Sequence, residues 1–110
     1  MSIGDLDKVP EQIFEEIVPV QHSDSGYSIN GDRLLRLDRK SKQQELCHTF
    51  DPTEMSILRR FDGAHTIGQA ADGLSAETGA DRQDCYRRVR LLFILLAERM
   101  VFLPSSAHER

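Results

Sequence analysis

The sequence predicts an α+β domain, winged-helix-like, in which a three-stranded antiparallel sheet is followed by three helices. The first half of the chain consists of short extended segments separated by turn residues. The second half places apolar residues at helical spacing, and each such segment opens on a helix-capping pattern. Because strands come first and helices follow, the two kinds of element are expected to form separate layers around one core.

The three predicted strands lie in the first half of the chain. The first is IVPVQH, residues 17–22, and it is followed by the turn-forming residues SDSGYS. Asn30-Gly31 is a strong hairpin signal, and the leucine-rich segment 33–38 follows it. The third strand, ELCHTF at 45–50, alternates. Its alternation predicts that Leu46, His48 and Phe50 share one face, and that Glu45, Cys47 and Thr49 share the other.

The first predicted helix begins at a clear start signal. Asp51 offers an N-cap oxygen, Pro52 stands at the first helical position, and Glu54 places a carboxylate at the third. The sequence Asp62-Gly63 predicts its end.

The two later helices are bounded in the same way. Thr66 and Gln69 form a capping-box pattern for the second helix, and Gly79 is a natural stop. The third helix is predicted to run from Asp81 to about Met100. The segment VFLP, which follows it, is expected to be a short strand or an extended end.

The third helix has two apolar faces. Placed at 100° per residue, six side chains fall within one arc and are predicted to face the core: Cys85, Val89, Leu92, Phe93, Leu96 and Met100. Leu91, Ile94 and Leu95 lie on the opposite side, and Arg87 and Arg88 precede them by one turn. This second face, apolar and cationic at one end, is typical of a surface that receives an amphipathic partner.

Charge divides the chain into parts. Residues 1–30 hold six acids against Lys8 alone, whereas the net charge of the whole chain is −4. The acidic start of the chain is predicted to be an arm at 1–16, ahead of a folded domain at 17–103 and a tail at 104–110. A near-neutral domain disfavours nucleic-acid binding. The apolar run 91–97 is far shorter than the roughly 20 residues that a membrane span needs, so no membrane partner is expected.

The polar residues show no catalytic arrangement. Cys47 and Cys85 fit no metal or redox spacing, which predicts reduced thiols in a cytoplasmic protein. No secretory signal is visible at the N-terminus. The histidines His22, His48, His65 and His108 show no metal-binding spacing, and no glycine-rich phosphate loop is present. We expect no metal, no cofactor, no catalytic residue and no enzymatic activity.

A run of residues in the middle of the chain resembles PqqD and the wider class of peptide recognition elements of ribosomal peptide natural-product biosynthesis. The matching residues are Phe50, Asp51, Thr53, Ile57, Leu58, Asp62, Gly63, Thr66 and Ile67, and the resemblance extends over about residues 17–103. It departs at Glu54, where the family often has glycine. It implies a three-stranded sheet packed on three helices. It also implies a protein that holds the leader segment of a precursor peptide while a separate enzyme modifies the core segment.

The resemblance also implies a binding site. In the family, the leader pairs with the third strand and lies against the third helix. On this chain those positions are Glu45, Leu46, Cys47, His48, Thr49 and Phe50 on the strand, with Arg87, Arg88, Leu91, Ile94 and Leu95 on the helix. The helix positions coincide with the second apolar face, which the helical wheel identifies independently.

Other uses of the second face stay open at this point. The N-terminal segment carries Leu6, Val9, Ile13 and Ile17 at a spacing suited to contact, and acids suited to the arginines, so it is a candidate cover. A homodimer seam or a structural adaptor is another alternative. A DNA-binding winged helix is a third, but an apolar outer face on the long helix disfavours it, since base recognition requires polar side chains there.

Overall fold

The computed structural model describes residues 8–22, 26–38 and 40–106. The elements in chain order are α1 (Glu11–Phe14), β1 (Ile17–Gln21), β2 (Tyr27–Asn30), β3 (Arg33–Leu37), β4 (Gln44–Thr49), α2 (Pro52–Leu58), α3 (Ile67–Thr78), α4 (Arg82–Glu98) and β5 (Phe102–Ser106). The α+β class predicted from the sequence is confirmed.

The three-stranded antiparallel sheet is also confirmed, and its strand order is β2-β3-β4. The hairpin signal is correct, since Asn30 pairs with Arg33 across a two-residue turn. Gly31 in that turn has a φ of 61°, a left-handed conformation that glycine adopts without a side-chain clash.

The prediction that residues 17–22 form one strand of this sheet is wrong. β1 instead pairs with β5 in a second, two-stranded antiparallel sheet, in which Gln21 lies opposite Phe102. Three successive β1 residues, Ile17, Val18 and Pro19, are buried, so this strand is covered on both faces and is not the half-exposed outer strand of a meander. The strand that takes this place in the three-stranded sheet is β2, which comes just before the hairpin turn.

A bulge in β4 breaks the alternation predicted for this strand. Leu34 pairs with His48, but the next residue, Leu35, pairs with Leu46, so Cys47 has no opposite residue on β3. Directly opposite residues share a face and successive residues do not, so Leu46 and His48 lie on opposite faces of the sheet. The prediction that they share a face is therefore wrong, and Leu46 is 55% exposed.

The helices differ from the prediction in number and in length. A short fourth helix, α1, precedes the sheets. Both predicted capping boxes are present: Asp51 with Glu54 begins α2, and Thr66 with Gln69 begins α3. α2 ends at Leu58, earlier than predicted, and the chain then continues as a turn towards Phe61.

The core lies where α1, α2, α3 and α4 meet β5. Phe14 of α1 is fully buried and packs edge-to-face on Phe93 of α4, with ring centroids 5.9 Å apart. Phe93 makes a second edge-to-face contact, at 6.1 Å, with Phe61. The packed unit therefore includes Phe14, which lies within the segment 1–16 that charge assigns to an arm. The division into arm, domain and tail stays a prediction.

Five of the six α4 residues predicted to face the core are buried: Cys85, Val89, Leu92, Phe93 and Leu96. The sixth, Met100, is 47% exposed, so its assignment to the core is wrong. α4 ends at Glu98, and Met100 adopts a φ of 59° in the turn that leads into β5, which removes it from the helical wheel. Across residues 8–22, 26–38 and 40–106, no helix combines the length and the apolarity needed to cross a bilayer.

Candidate functional site

A groove lies between α2 and α4, and we call it the α2–α4 groove. Its volume is about 220 Å³, and it is lined by Asp51, Thr53, Glu54, Ile57, Arg88, Leu91, Leu92 and Leu95. Ile57 and Leu92 are buried and form an apolar floor, whereas Leu91 stands at the rim with 67% of its surface exposed. A leucine this exposed beside an open apolar floor offers contact area to a ligand.

The structure places three of the five predicted helix residues in this groove. Arg88, Leu91 and Leu95 line it together. Ile94 does not line it and packs, half-buried, against the core. Arg87 is exposed outside the groove, where its Nη1 lies 3.6 Å from Oδ1 of Asp84. Three of the five helix residues of the predicted site thus border one groove, and Arg87 and Ile94 do not.

The predicted strand approaches the groove through its C-terminal end. β4 pairs with β3 on one side, and no strand in the described part of the chain pairs with its other edge. Phe50 is buried, so its side chain is part of the core. Its backbone amide donates to the carbonyl of Asp32 over 2.7 Å. The next residue, Asp51, already lines the groove. The open edge of residues 44–49 thus leads directly to the groove.

The strand end and the start of α2 are joined by side chains. Nε2 of His48 lies 3.2 Å from Oε2 of Glu54. The amide of Asp51 donates to Oε1 of Glu54 over 3.0 Å, and the amide of Glu54 donates to Oδ1 of Asp51 over 2.7 Å. Both groove carboxylates therefore already have internal partners.

Arg88 provides the groove with a positive charge that is available to a ligand. Among the ion pairs of the described residues, none includes Arg88, and its side chain is exposed. A guanidinium presents a planar set of donors that can hold a carboxylate by two hydrogen bonds. The groove therefore combines apolar contact with one free cationic group.

The N-terminal segment lies on a different face of α4. The guanidinium of Arg90 donates to the carbonyl of Val9 over 2.9 Å and lies 4.4 Å from the ring centroid of Phe14. Ile13 points outwards, with 52% exposure, and Ile17 belongs to β1. None of Val9, Ile13 and Ile17 lines the α2–α4 groove, so these candidate cover residues do not occupy it. Leu6 lies outside the described residues.

Among the described acids of this segment, Glu15 contacts Arg82 and Glu11 accepts from Gln83, and neither forms an ion pair with Arg87 or Arg88. Arg82 donates to Oδ1 of Asp72 over 2.6 Å and also to the carboxylate of Glu15. These hydrogen bonds, first that of Asp72, raise the pKa of Arg82, so its charge persists and fixes the N-terminal segment to α3 and α4. None of the described residues of the N-terminal segment lines the α2–α4 groove.

Five groove residues lie outside the predicted site: Asp51, Thr53, Glu54, Ile57 and Leu92. The sequence indicated Asp51 and Glu54 as a helix start, Thr53 and Ile57 only through the family resemblance, and Leu92 as a core residue. Their place in the groove depends on how α2 packs against α4, which the local pattern does not encode.

The described residues contain no cluster of three or more metal-ligating side chains. Cys47 is exposed, Cys85 is buried, and both are free thiols.

Extended ligands in general require a strand edge without a partner and an apolar groove nearby, and the described residues provide both, together with the guanidinium of Arg88. Comparison with solved structures finds the crystal structure of PqqD from Xanthomonas campestris, which is 25% identical. The match covers 73% of this chain and 94% of that chain, with a TM-score of 0.48. PqqD is also the family that residues 50–67 resemble. No family model matches the chain, and no curated protein matches it.

Proposed function

We propose that this protein is a non-catalytic, winged-helix peptide-recognition protein of PqqD-like type. It holds the leader segment of a ribosomally made precursor peptide and presents it to a separate modifying enzyme. The observation that carries the proposal is Leu91, a large apolar side chain that is 67% exposed at the rim of the α2–α4 groove. This groove begins at Asp51, just after β4, whose outer edge has no partner strand in the described part of the chain. The resemblance of residues 50–67 to peptide recognition elements supports the same function.

The backbone of β4 supplies the first part of the binding energy. An unpaired edge presents N–H and C=O groups that an extended peptide can satisfy whatever its side chains. The bulge at Cys47 interrupts the pairing with β3 and increases the local twist of the strand. The peptide would therefore pair best with the regular residues 44–46 and 48–49 on either side of the bulge.

The groove supplies selectivity. An apolar peptide side chain would lie on Ile57 and Leu92, against Leu91 and Leu95. A carboxylate beside it would pair with Arg88, which adds to specificity and to the association rate more than to affinity. Because a disordered peptide loses entropy when it is ordered, we expect micromolar affinity, about −8 kcal/mol.

The two thiols fit a reducing compartment. Cys47 is exposed and unpaired, a state that persists in the cytoplasm and is readily lost in oxidising environments. We therefore place the protein in the cytoplasm, together with the precursor peptide and the modifying enzyme that it serves.

The test is selection of peptides from a random display library on the wild-type protein, followed by calorimetric titration of a synthetic selected peptide. We expect Leu91→Asp to abolish binding. Ile13→Asp, an equally polar change at an exposed apolar residue outside the groove, should leave it unchanged. Equal affinity for both variants would overturn the proposal. A wild-type dimer that Leu91→Asp converts to a monomer, without any selected peptide, would make the face a dimer seam instead.

A further inference from the structure

We propose that the peptide site does not end at Arg88 but continues into a second cleft, so that the bound peptide carries an acidic residue between two apolar side chains. This inference rests on the proposed peptide-binding function and specifies the sequence class of its ligand.

The second cleft lies between the C-terminal end of α3 and the N-terminal half of α4, and we call it the α3–α4 cleft. Its volume is about 230 Å³, and it is lined by Thr53, Leu74, Thr78, Ala80, Asp84, Cys85 and Arg88. Thr53 and Arg88 also line the α2–α4 groove. The two spaces are therefore neighbours along α4, and Arg88 borders both.

The chemistry of the α3–α4 cleft favours a small apolar side chain. Leu74 and Cys85 are buried and form its floor. The hydroxyl of Thr78 is already engaged, because it donates to the carbonyl of Leu74 over 2.8 Å and accepts from the amide of Ala80 over 3.2 Å. Asp84 places a carboxylate at the rim, which repels a second acidic group. A compact apolar residue meets none of these obstacles.

The arginine pair divides into two roles. Arg87 lies 3.6 Å from Asp84 and is compensated within the protein, whereas Arg88 has no ion pair within the described ranges. Arg88 also borders both spaces. Its guanidinium is therefore available to a peptide carboxylate that lies between the two apolar contacts.

The helix sets the spacing of the three contacts. With a rise of about 1.5 Å per residue, Leu91 and Cys85 are separated by about 9 Å along α4, and Leu95 and Cys85 by about 15 Å. An extended peptide advances about 3.3 Å per residue. The ligand should therefore carry two apolar residues about three to five positions apart, with an Asp or Glu between them.

The experiment compares two phenylalanine substitutions on α3 and the turn after it. Ala80→Phe would fill the α3–α4 cleft, whereas Ala76→Phe adds the same side chain at an exposed α3 residue that lines neither space. The probe is the synthetic peptide selected on the wild-type protein, together with a version truncated immediately beyond its acidic residue, on the side away from the groove.

We expect Ala80→Phe to weaken the full peptide by about tenfold and to leave the truncated peptide unaffected, while Ala76→Phe changes neither. On the wild-type protein, the truncation itself should cost a similar factor, a measurement that does not depend on whether the variant folds. Unchanged affinity in both comparisons, with binding still abolished by Leu91→Asp, would overturn the second cleft and leave the proposed function standing. Full binding by Leu91→Asp would overturn both.

Discussion

The imidazole of His48 lies 3.2 Å from the carboxylate of Glu54, and this contact connects the C-terminal end of β4 to the first turn of α2. The same imidazole packs edge-to-face on the buried ring of Phe50, with centroids 4.9 Å apart. The open strand edge and the groove are thereby held in a fixed relative position, which a peptide that contacts both requires.

Removal of this link should weaken peptide binding without unfolding the protein. We expect His48→Ala to cost about 1 kcal/mol of stability and to lower the affinity for a selected peptide severalfold, because the strand and the helix lose their direct contact. Calorimetric titration and denaturant unfolding give both values. His65→Ala is the control, since His65 makes a similar contact, 2.8 Å, with Asp62 outside the groove. Equal affinity of the two variants would contradict the account.

Truncation of two neighbouring leucines of α4, Leu91 and Leu92, should lower the free energy of unfolding by very different amounts. Leu91→Ala should change the unfolding free energy by no more than about 0.5 kcal/mol, because the side chain is largely exposed. Leu92→Ala should cost about 2–5 kcal/mol, because it leaves a cavity in the core. Urea denaturation measures both. A cost at Leu91 comparable to that at Leu92 would mean that the second face is core.

The N-terminal segment offers an analogous pair. Phe14→Ala should cost about 3–5 kcal/mol, whereas Ile13→Ala should stay within about 0.5 kcal/mol, because only the former is buried. Thermal or urea unfolding tests this pair. By the same reasoning, removal of residues 1–16 should destabilise the fold severely. A 1–16 deletion as stable as the full chain would show that the segment is only an arm.

Arg87 and Arg88, which precede the second apolar face of α4, should contribute differently to peptide binding. Arg88→Gln should weaken an acidic selected peptide by about tenfold and reduce the dependence of its affinity on salt. Arg87→Gln should have little effect, because Asp84 already compensates that charge. Titrations at low and high salt measure both quantities. The reverse order of the two variants would assign the recognition to Arg87.

The carboxylate of Glu77 should make the free energy of unfolding depend on pH. A hydrogen bond from Ser56, together with the guanidinium of Arg60 3.1 Å away, holds the pKa of Glu77 below its ordinary value. Because the pKa is lower in the folded state than in the unfolded state, the ionised carboxylate stabilises the protein at pH values above the ordinary pKa of glutamate. This stabilisation is lost as the pH falls through the lowered pKa. Glu77→Gln should therefore destabilise at neutral pH, and the difference should disappear in acid.

Urea denaturation across this pH range tests the assignment. Glu98→Gln, at an exposed helix end that forms no ion pair among the described residues, is the control for the loss of one surface carboxylate. A Glu77→Gln difference that stays constant into acid would show that the carboxylate charge contributes nothing.

The elements that local chemistry determines could be predicted from the sequence. Caps at Asp51 and Thr66 fix helix starts through contacts three residues away, and the hairpin turn needs only its own two residues. The apolar spacing of α4 located its core face. The pairing of β1 with β5 could not be predicted in this way, since its partners are separated by most of the chain and are chosen by packing around Phe14 and Phe93.

The candidate site was predicted in part for the same reason. The helical period placed Leu91 and Leu95 on a second face, but a wheel has no information on what packs beside it, so Ile94 was included and Ile57 was not. The bulge at Cys47 is likewise not visible in an alternating sequence. It appears only when the strand is paired with β3.

The most direct test of the central claim is residue-resolved amide hydrogen exchange with and without a peptide selected on the wild-type protein. If the peptide binds along β4 and α4, the β4 amides within residues 44–49 that do not bond to β3 should become protected, and the Leu91 and Leu95 methyl signals should shift. Protection confined to the face of α4 near Val9 and Phe14, or shifts at the exposed Leu46 face of the sheet with no change at Leu91, would contradict it.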